Sequence, residues 1–410
     1  MQAHTLAIDF GTSNTAAGYM RDGRPILLEV EAGNSTLPTS IFFDFDARKA
    51  LFGTPANAAL IDGEYGRFMR ALKSVLGTSI MHEKRRIMDE QIDFIEIIAR
   101  FLREIKTRAE AASGLRFDKA LSGRPVHFHS DDPVKDAQAL LDLRACYLKA
   151  GFSEVDFMYE PDAAALANHS HISAGTLGLI VDIGGGTSDF TIFETLESGI
   201  KILASHGVRV GGTDFDRKLS IDHIMPLLGK ASQIRKAFGS ETMTAPNAIF
   251  HNLATWQKIP FLYNGETRRE ANELFKHAAE PQLLKRLTDT LESELGHDLA
   301  FAAERGKIAA NKADAMIDLT ILEPSLTAPL SQAALGNSLT ALTSKIEVAA
   351  AETLSLASLS PAQINSLIFV GGSSLMSVIE ATLQAQFPTA KPHRTSAFTA
   401  VIEGLTLATS

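Results

Sequence analysis

One short unit occurs twice in this chain. Residues 8–20 read IDFGTSNTAAGYM and residues 181–193 read VDIGGGTSDFTIF. Each has an acid two residues before a glycine, then a Thr-Ser pair, then a strand-forming stretch. A single long-period repeat implies two related halves and excludes a solenoid of short units. A third glycine turn, Gly371-Gly372-Ser373, follows the apolar run Leu367–Val370. Strands and glycine turns alternate with helical segments, which makes this an α/β protein.

Helical spacing fills the intervals. Phe94, Ile97, Ile98, Phe101 and Ile105 predict an amphipathic helix over 93–112. Asp132 before Pro133, with Gly151 as the stop, brackets a second helix over 132–150. Residues 283–310 read as helix divided at Gly296, and 376–387 as a helix after the third turn. No low-complexity tract divides the chain. The stretch 322–341, rich in Ser, Thr, Leu and Pro, reads as its one softer patch.

Composition narrows the function. With 410 residues, the chain is long enough for two to three domains. Its 39 basic and 48 acidic residues give −9, against a general nucleic-acid or anionic-membrane binder. The single cysteine, Cys146, excludes an intrachain disulfide and reads as a small packing residue. No apolar run is long enough to span a bilayer, and the first strand begins too early for a leader, so a soluble cytoplasmic protein is expected.

The glycine turns carry the chemistry. Backbone N–H groups in such turns can cradle phosphate oxygens. Asp9 and Asp182 stand where carboxylates could hold hydrated Mg²⁺, and Thr12, Ser13 and Thr187 add hydroxyls. A glycine turn taken alone is also an ordinary tight strand exit. Rival motifs are missing. There is no GxxxxGK[ST] loop, GGSSL at 371–375 lacks the closing glycine of a nucleophile elbow, and His82-Glu83 has no histidine at the zinc-protease spacing. His127/His129 and His169/His171 lack an accompanying acid or cysteine cluster and read as structural.

These segments resemble the actin-like ATPase superfamily, and within it the nucleotide-binding domain of DnaK-type (heat shock protein 70 family) chaperones. IDFGTSNT at 8–15, VDIGGGTSDF at 181–190 and FVGGSS at 369–374 look like the three family signatures. YEPDAAALA at 159–167, GVRVGGTDFDRKL at 207–219, AERGKIAAN at 303–311 and LKSVLG at 72–77 match further segments in order. The resemblance implies two lobes of duplicated ribonuclease-H-like topology around a nucleotide cleft. Lobe I is expected at 1–171 plus 395–410, and lobe II at 172–394, with no peptide-binding domain.

By position, the resemblance implies catalytic roles for Lys73, Glu160, Asp182 and Thr187. It places Asp9 and Asp182 on Mg²⁺ through water. The phosphates fall to Gly11, Thr12, Ser13, Asn14, Gly184, Gly185, Gly186, Gly211, Gly212 and Thr213. Glu304 and Lys307 match ribose contacts, Ile308 an adenine wall, and Gly371, Gly372 and Ser373 the adenosine site. The implied cofactors are ATP or ADP and Mg²⁺, with K⁺ a further ion the resemblance admits.

Departures are equally specific. Pro125 matches the family's proline switch, but Ala139 stands where its relay arginine would be and Asp156 where the J-domain arginine would be. Leu375 replaces an arginine of the adenine pocket, and no acid is in register near Phe398. With neither linker nor peptide-binding domain expected, the chain is most similar to shortened YegD-type members, and GRPVHF at 123–128 agrees. The expected function is a slow, chaperone-like ATPase whose lobe closure is read by an unknown protein partner. A J-domain partner is not implied. An actin-like filament subunit, a nucleotide sensor without turnover and a small-molecule kinase are the alternatives.

Overall fold

The computed structural model describes residues 4–31, 33–129, 132–168, 173–197, 199–235, 241–393 and 399–409. His169, His171 and Phe398 lie outside them. The chain forms two compact units, one from Met1–Gly211 with Lys345–Ser410, the other from Gly212–Ser344.

The first unit contains one sheet design twice. Strands β1 (His4–Phe10), β2 (Asn14–Arg21), β3 (Arg24–Leu27), β4 (Phe117–Arg124) and β5 (Glu154–Tyr159) run in the order β5-β4-β1-β2-β3. Strands β6 (Leu177–Ile183), β7 (Ser188–Leu196), β8 (Gly199–Val208), β9 (Ser366–Val370) and β10 (Lys391–His393) run in the order β10-β9-β6-β7-β8. In each, the central strand pairs antiparallel with the next strand in sequence and parallel with one that arrives later. Segment Thr36–Pro38 adds an extra edge to β2. The repeat in the sequence is therefore a repeat of topology. Leu6, Ala7, Ile8, Leu179, Ile180 and Val181 are buried, which is why both central strands read as near-continuous apolar runs.

Helices cover these sheets where the periodicity places them. Helix α1 (Phe94–Ser113) begins at Asp93, whose carboxylate accepts from the Glu96 amide, and stops at left-handed Gly114. Its buried Ile97, Ile98, Phe101 and Ile105 join one core with Leu143, Cys146 and Tyr147 of α2 (Pro133–Ala150). Helix α2 is capped by Asp132 and ends at Gly151, φ 99°. Helix α3 (Glu160–Asn168) starts directly after β5.

In the second unit, the predicted division at Gly296 is present, with helices at Pro281–Glu292 and Gly296–Ala310. The expectation of a softer patch over 322–341 is overturned. Thr327–Leu330 pairs with Ala315–Asp318, and a 26-residue helix begins at Gln332. Ser331 Oγ accepts from the Ala334 amide at 3.1 Å, capping a run of Ala and Leu, both strong helix formers. Serine was there the start signal of a helix. Among the described residues, no helix is long and apolar enough to cross a membrane.

Candidate functional site

Both glycine turns are four-residue hairpin turns of the same build. Gly11 N donates to Asn14 O at 3.0 Å, and Gly184 N donates to Thr187 O at 3.0 Å. Cross-strand register follows: Phe10 pairs with Thr15 and Asp9 with Ala16, while Ile183 pairs with Ser188 and Asp182 with Asp189. Thr187 is thus the counterpart of Asn14, and Ser188 of Thr15. The Thr-Ser pairs seen in both motifs occupy different places, Thr12-Ser13 within its turn and Thr187-Ser188 at the exit of the other.

The turns meet. Ser13 Oγ lies where a side chain on Gly185 would have to go. Gly371 has φ 78°, and a Cβ there would stand 2.8 Å from Asp182 Oδ1 and 2.5 Å from Ile183 O. Only glycine suits that combination of backbone and close approach. Gly372 and Ser373 continue into the short turn Gly372–Leu375.

A lysine enters from a separate segment. Lys73 lies in the 3₁₀ turn Leu72–Val75, and its Nζ donates to Glu160 Oε1 at 2.6 Å. The side chains are only 10% and 12% exposed. Glu160 is the first residue of α3, so the end of β5 fixes where its carboxylate stands. Beside the lysine segment, His129 Nε2 lies 2.7 Å from Leu76 O, and Asp142 accepts from the Gly77 amide at 2.9 Å. These contacts give His129 a structural part.

The acids around Lys73 feel one another. Burial, then the charge of Glu160, pushes Asp9 up to about 7 against the pull of Lys73. Burial and Glu160 do the same to Asp189, up to about 7, opposed by a hydrogen bond from Thr187 and by Lys73. Asp182 is raised well above the usual carboxylate range, by burial first and then by Glu160, Asp189 and Asp9. Burial pulls Lys73 down, but Glu160, Asp9 and Asp182 outweigh it and leave the ammonium raised. Four carboxylates share one ammonium, so the site carries surplus negative charge in surroundings that penalise it. Among the described residues no three such side chains are grouped to hold a metal ion directly, so a cation drawn by these acids would keep its own waters.

Sequence reasoning missed Asp189. Its signal was the register, because a four-residue turn after Ile183 puts residue 189 opposite residue 182. It also missed Thr39, whose Oγ1 donates to Gly11 O at 2.8 Å and whose amide donates to Ser13 O at 2.8 Å. Five of the named positions belong to the second unit. Gly212 and Thr213 open the helix Gly212–Leu219. Glu304, Lys307 and Ile308 lie on Gly296–Ala310, where Lys307 is buried and paired with Asp216 at 2.7 Å while Ile308 is exposed. Ala139 is buried on α2 and Asp156 is exposed on β5. The Pro125 carbonyl accepts from Arg124 Nε at 3.0 Å.

Comparison with known proteins gives a consistent result. A family model described as Hsp70 protein matches residues 5–244. The chain is 32% identical over 231 residues to a "Chaperone protein DnaK" of Endomicrobium trichonymphae, covering 54% of this chain and 35% of that protein. It is 32% identical over 223 residues to a "Chaperone protein DnaK" of Thermoplasma acidophilum, covering 52% of this chain and 34% of that one. The matched stretch is about a third of the length of either relative.

Proposed function

The chain belongs to the Hsp70 family and so has the actin-like ATPase fold; on that premise we propose that it binds Mg²⁺·ATP at its paired glycine turns and hydrolyses it slowly. The observation that supports this reading is the convergence of both turns, each with its acid, on the Lys73–Glu160 ion pair. The backbone amides of 11–14 and 184–187 would hold the phosphates, with Ser13 and Thr187 adding hydroxyl donors. Asp9, Asp182 and Asp189 would hold Mg²⁺ through its own waters, and the surplus of carboxylates over Lys73 fits such an ion. When bound, Mg²⁺ supplies charge neutralisation for the phosphate oxygens.

Lys73 and Glu160 would then orient the attacking water, with Glu160 holding the ammonium in place. Such catalysis is positioning and electrostatics, and needs no covalent intermediate. The ribose and adenine assignments at Glu304, Lys307 and Ile308, the lobe division at 171/172 and 394/395, and the YegD-type likeness have the resemblance as their support. A protein partner that reads nucleotide state belongs to the same proposal.

The test is single-turnover hydrolysis of radiolabelled ATP with Mg²⁺, wild type against Lys73→Ala. Slow phosphate release by the wild type, lost in the variant while ATP still binds, is the expected result. ATP retained uncleaved by both would make the protein a nucleotide sensor, and no ATP binding at all would overturn the reading.

A further inference from the structure

Thr15 and Ser188 hold the same station in the two halves. Each follows its glycine turn, pairs across the hairpin with the residue after the acid, and is fully buried. Each uses its hydroxyl on a segment from outside its own hairpin. In the first half, Thr39 commits its one hydroxyl proton to Gly11 O, so Thr15 is the donor in the 2.9 Å contact between the two threonines. With the Thr39 amide on Ser13 O, that segment is fastened to the turn at two points.

In the second half, Ser188 Oγ donates to Val210 O at 2.7 Å. The next residue, Gly211, sits so close to the turn that a Cβ there would be 2.5 Å from Gly186 N and 2.7 Å from Gly185 O. A buried hydroxyl thus ties the 210–211 segment to the strand that leaves the turn. A buried hydrogen bond of this kind is worth about one order of magnitude in an equilibrium constant.

We infer that Ser188 is a positioning residue, whose hydroxyl latches the Val210–Gly211 segment onto the second glycine turn as Thr15 and Thr39 latch a segment onto the first. The effect on nucleotide depends on the function proposed above; the latch itself does not.

Hydrogen exchange on the full chain tests the latch without ligand. Ser188→Ala is expected to speed exchange in peptides covering 207–212 about tenfold, leaving 8–16 unchanged, with protection restored by Ser188→Thr, the residue type of the matching position. Thr39→Val is expected to do the reverse. Unchanged exchange in 207–212, or exchange faster throughout the first unit, would overturn the latch. A second arm follows a fluorescent Mg²⁺·ADP analogue. Its release from Ser188→Ala is expected to be about tenfold faster, with single-turnover cleavage of bound ATP altered less than about threefold. Equal release from wild type and variant would overturn the effect of the latch on nucleotide. A wild type that binds no nucleotide would overturn the proposed function and leave the exchange result to decide the latch.

Discussion

Asp182 and Asp189 face each other across one hairpin, acid opposite acid on adjacent strands. The matching pair in the first half is Asp9 and Ala16. Like charges directly opposite destabilise a sheet, so the second half keeps an arrangement that folding alone disfavours. The two halves share topology and differ in charge. Asp189 is one position at which the duplication has been specialised.

The acids make a statement about pH. Asp9 and Asp189 are pushed up to about 7 when folded, from an ordinary 3.8. Between those values the native chain binds more protons than the unfolded one, so these groups make stability fall as pH rises, the loss being complete above about 7. Ligand-free protein is expected to lose Tm between pH 5 and 7.5. Asp189→Asn is expected to flatten that slope and to raise Tm by a few degrees at pH 7.5. Thermal melts across pH check this, and a slope equal to the wild type's would count against it.

Magnesium nucleotide is expected to reverse the trend. Stabilisation by Mg²⁺·ADP at about a hundred times its Kd should be about 2.7 kcal/mol. The Mg²⁺-dependent part should be larger at pH 8 than at pH 6, because ionised carboxylates hold the cation. Melts with and without EDTA at both values measure it.

Breaking the buried ion pair should cost more than losing a surface one. Lys73→Ala leaves Glu160 unpaired among three other acids, and a loss of about 3 kcal/mol in the ligand-free protein is expected. Adding Glu160→Gln should return part of it. Urea unfolding of the two single variants and the double variant measures the coupling, and additive losses would show that the pair does not act as a unit.

Gly371→Ala is expected to destabilise by about 2 kcal/mol, through its left-handed backbone and the carbonyl of Ile183. Because the new methyl would press on Asp182, Mg²⁺·ATP binding should weaken about tenfold or more. Isothermal titration checks the binding term, and a variant that binds normally would place Gly371 outside the site.

Much of this was legible in the sequence because the informative features were local. The twin hairpins, the helix start at Asp132-Pro133 and the break at Gly296 are each written within a few residues. Asp189 was less visible, since its meaning comes from register and not from the motif's spelling. Thr39 was invisible, because its two contacts to the first turn come from a segment with no pattern of its own. The long helix from Gln332 was misread because Ser and Thr were weighed as loop formers, where one of them was a cap. Lys73 needed the family resemblance, as nothing near residue 73 announces a partner at residue 160.

The strand order has a consequence for the chain while it is being made. Strand β6 gains β7 at once, but its other neighbour, β9, is translated only after the whole of residues 212–344. A nascent chain that has passed Asp189 already holds every acid of the site and its lysine. It still has one bare edge on β6, the one that later takes β9, and no Gly371 against Asp182. Such an edge is a template for wrong pairing. That edge stays open while residues 212–344 are made, and it closes only once Ser366–Val370 has emerged to pair with it.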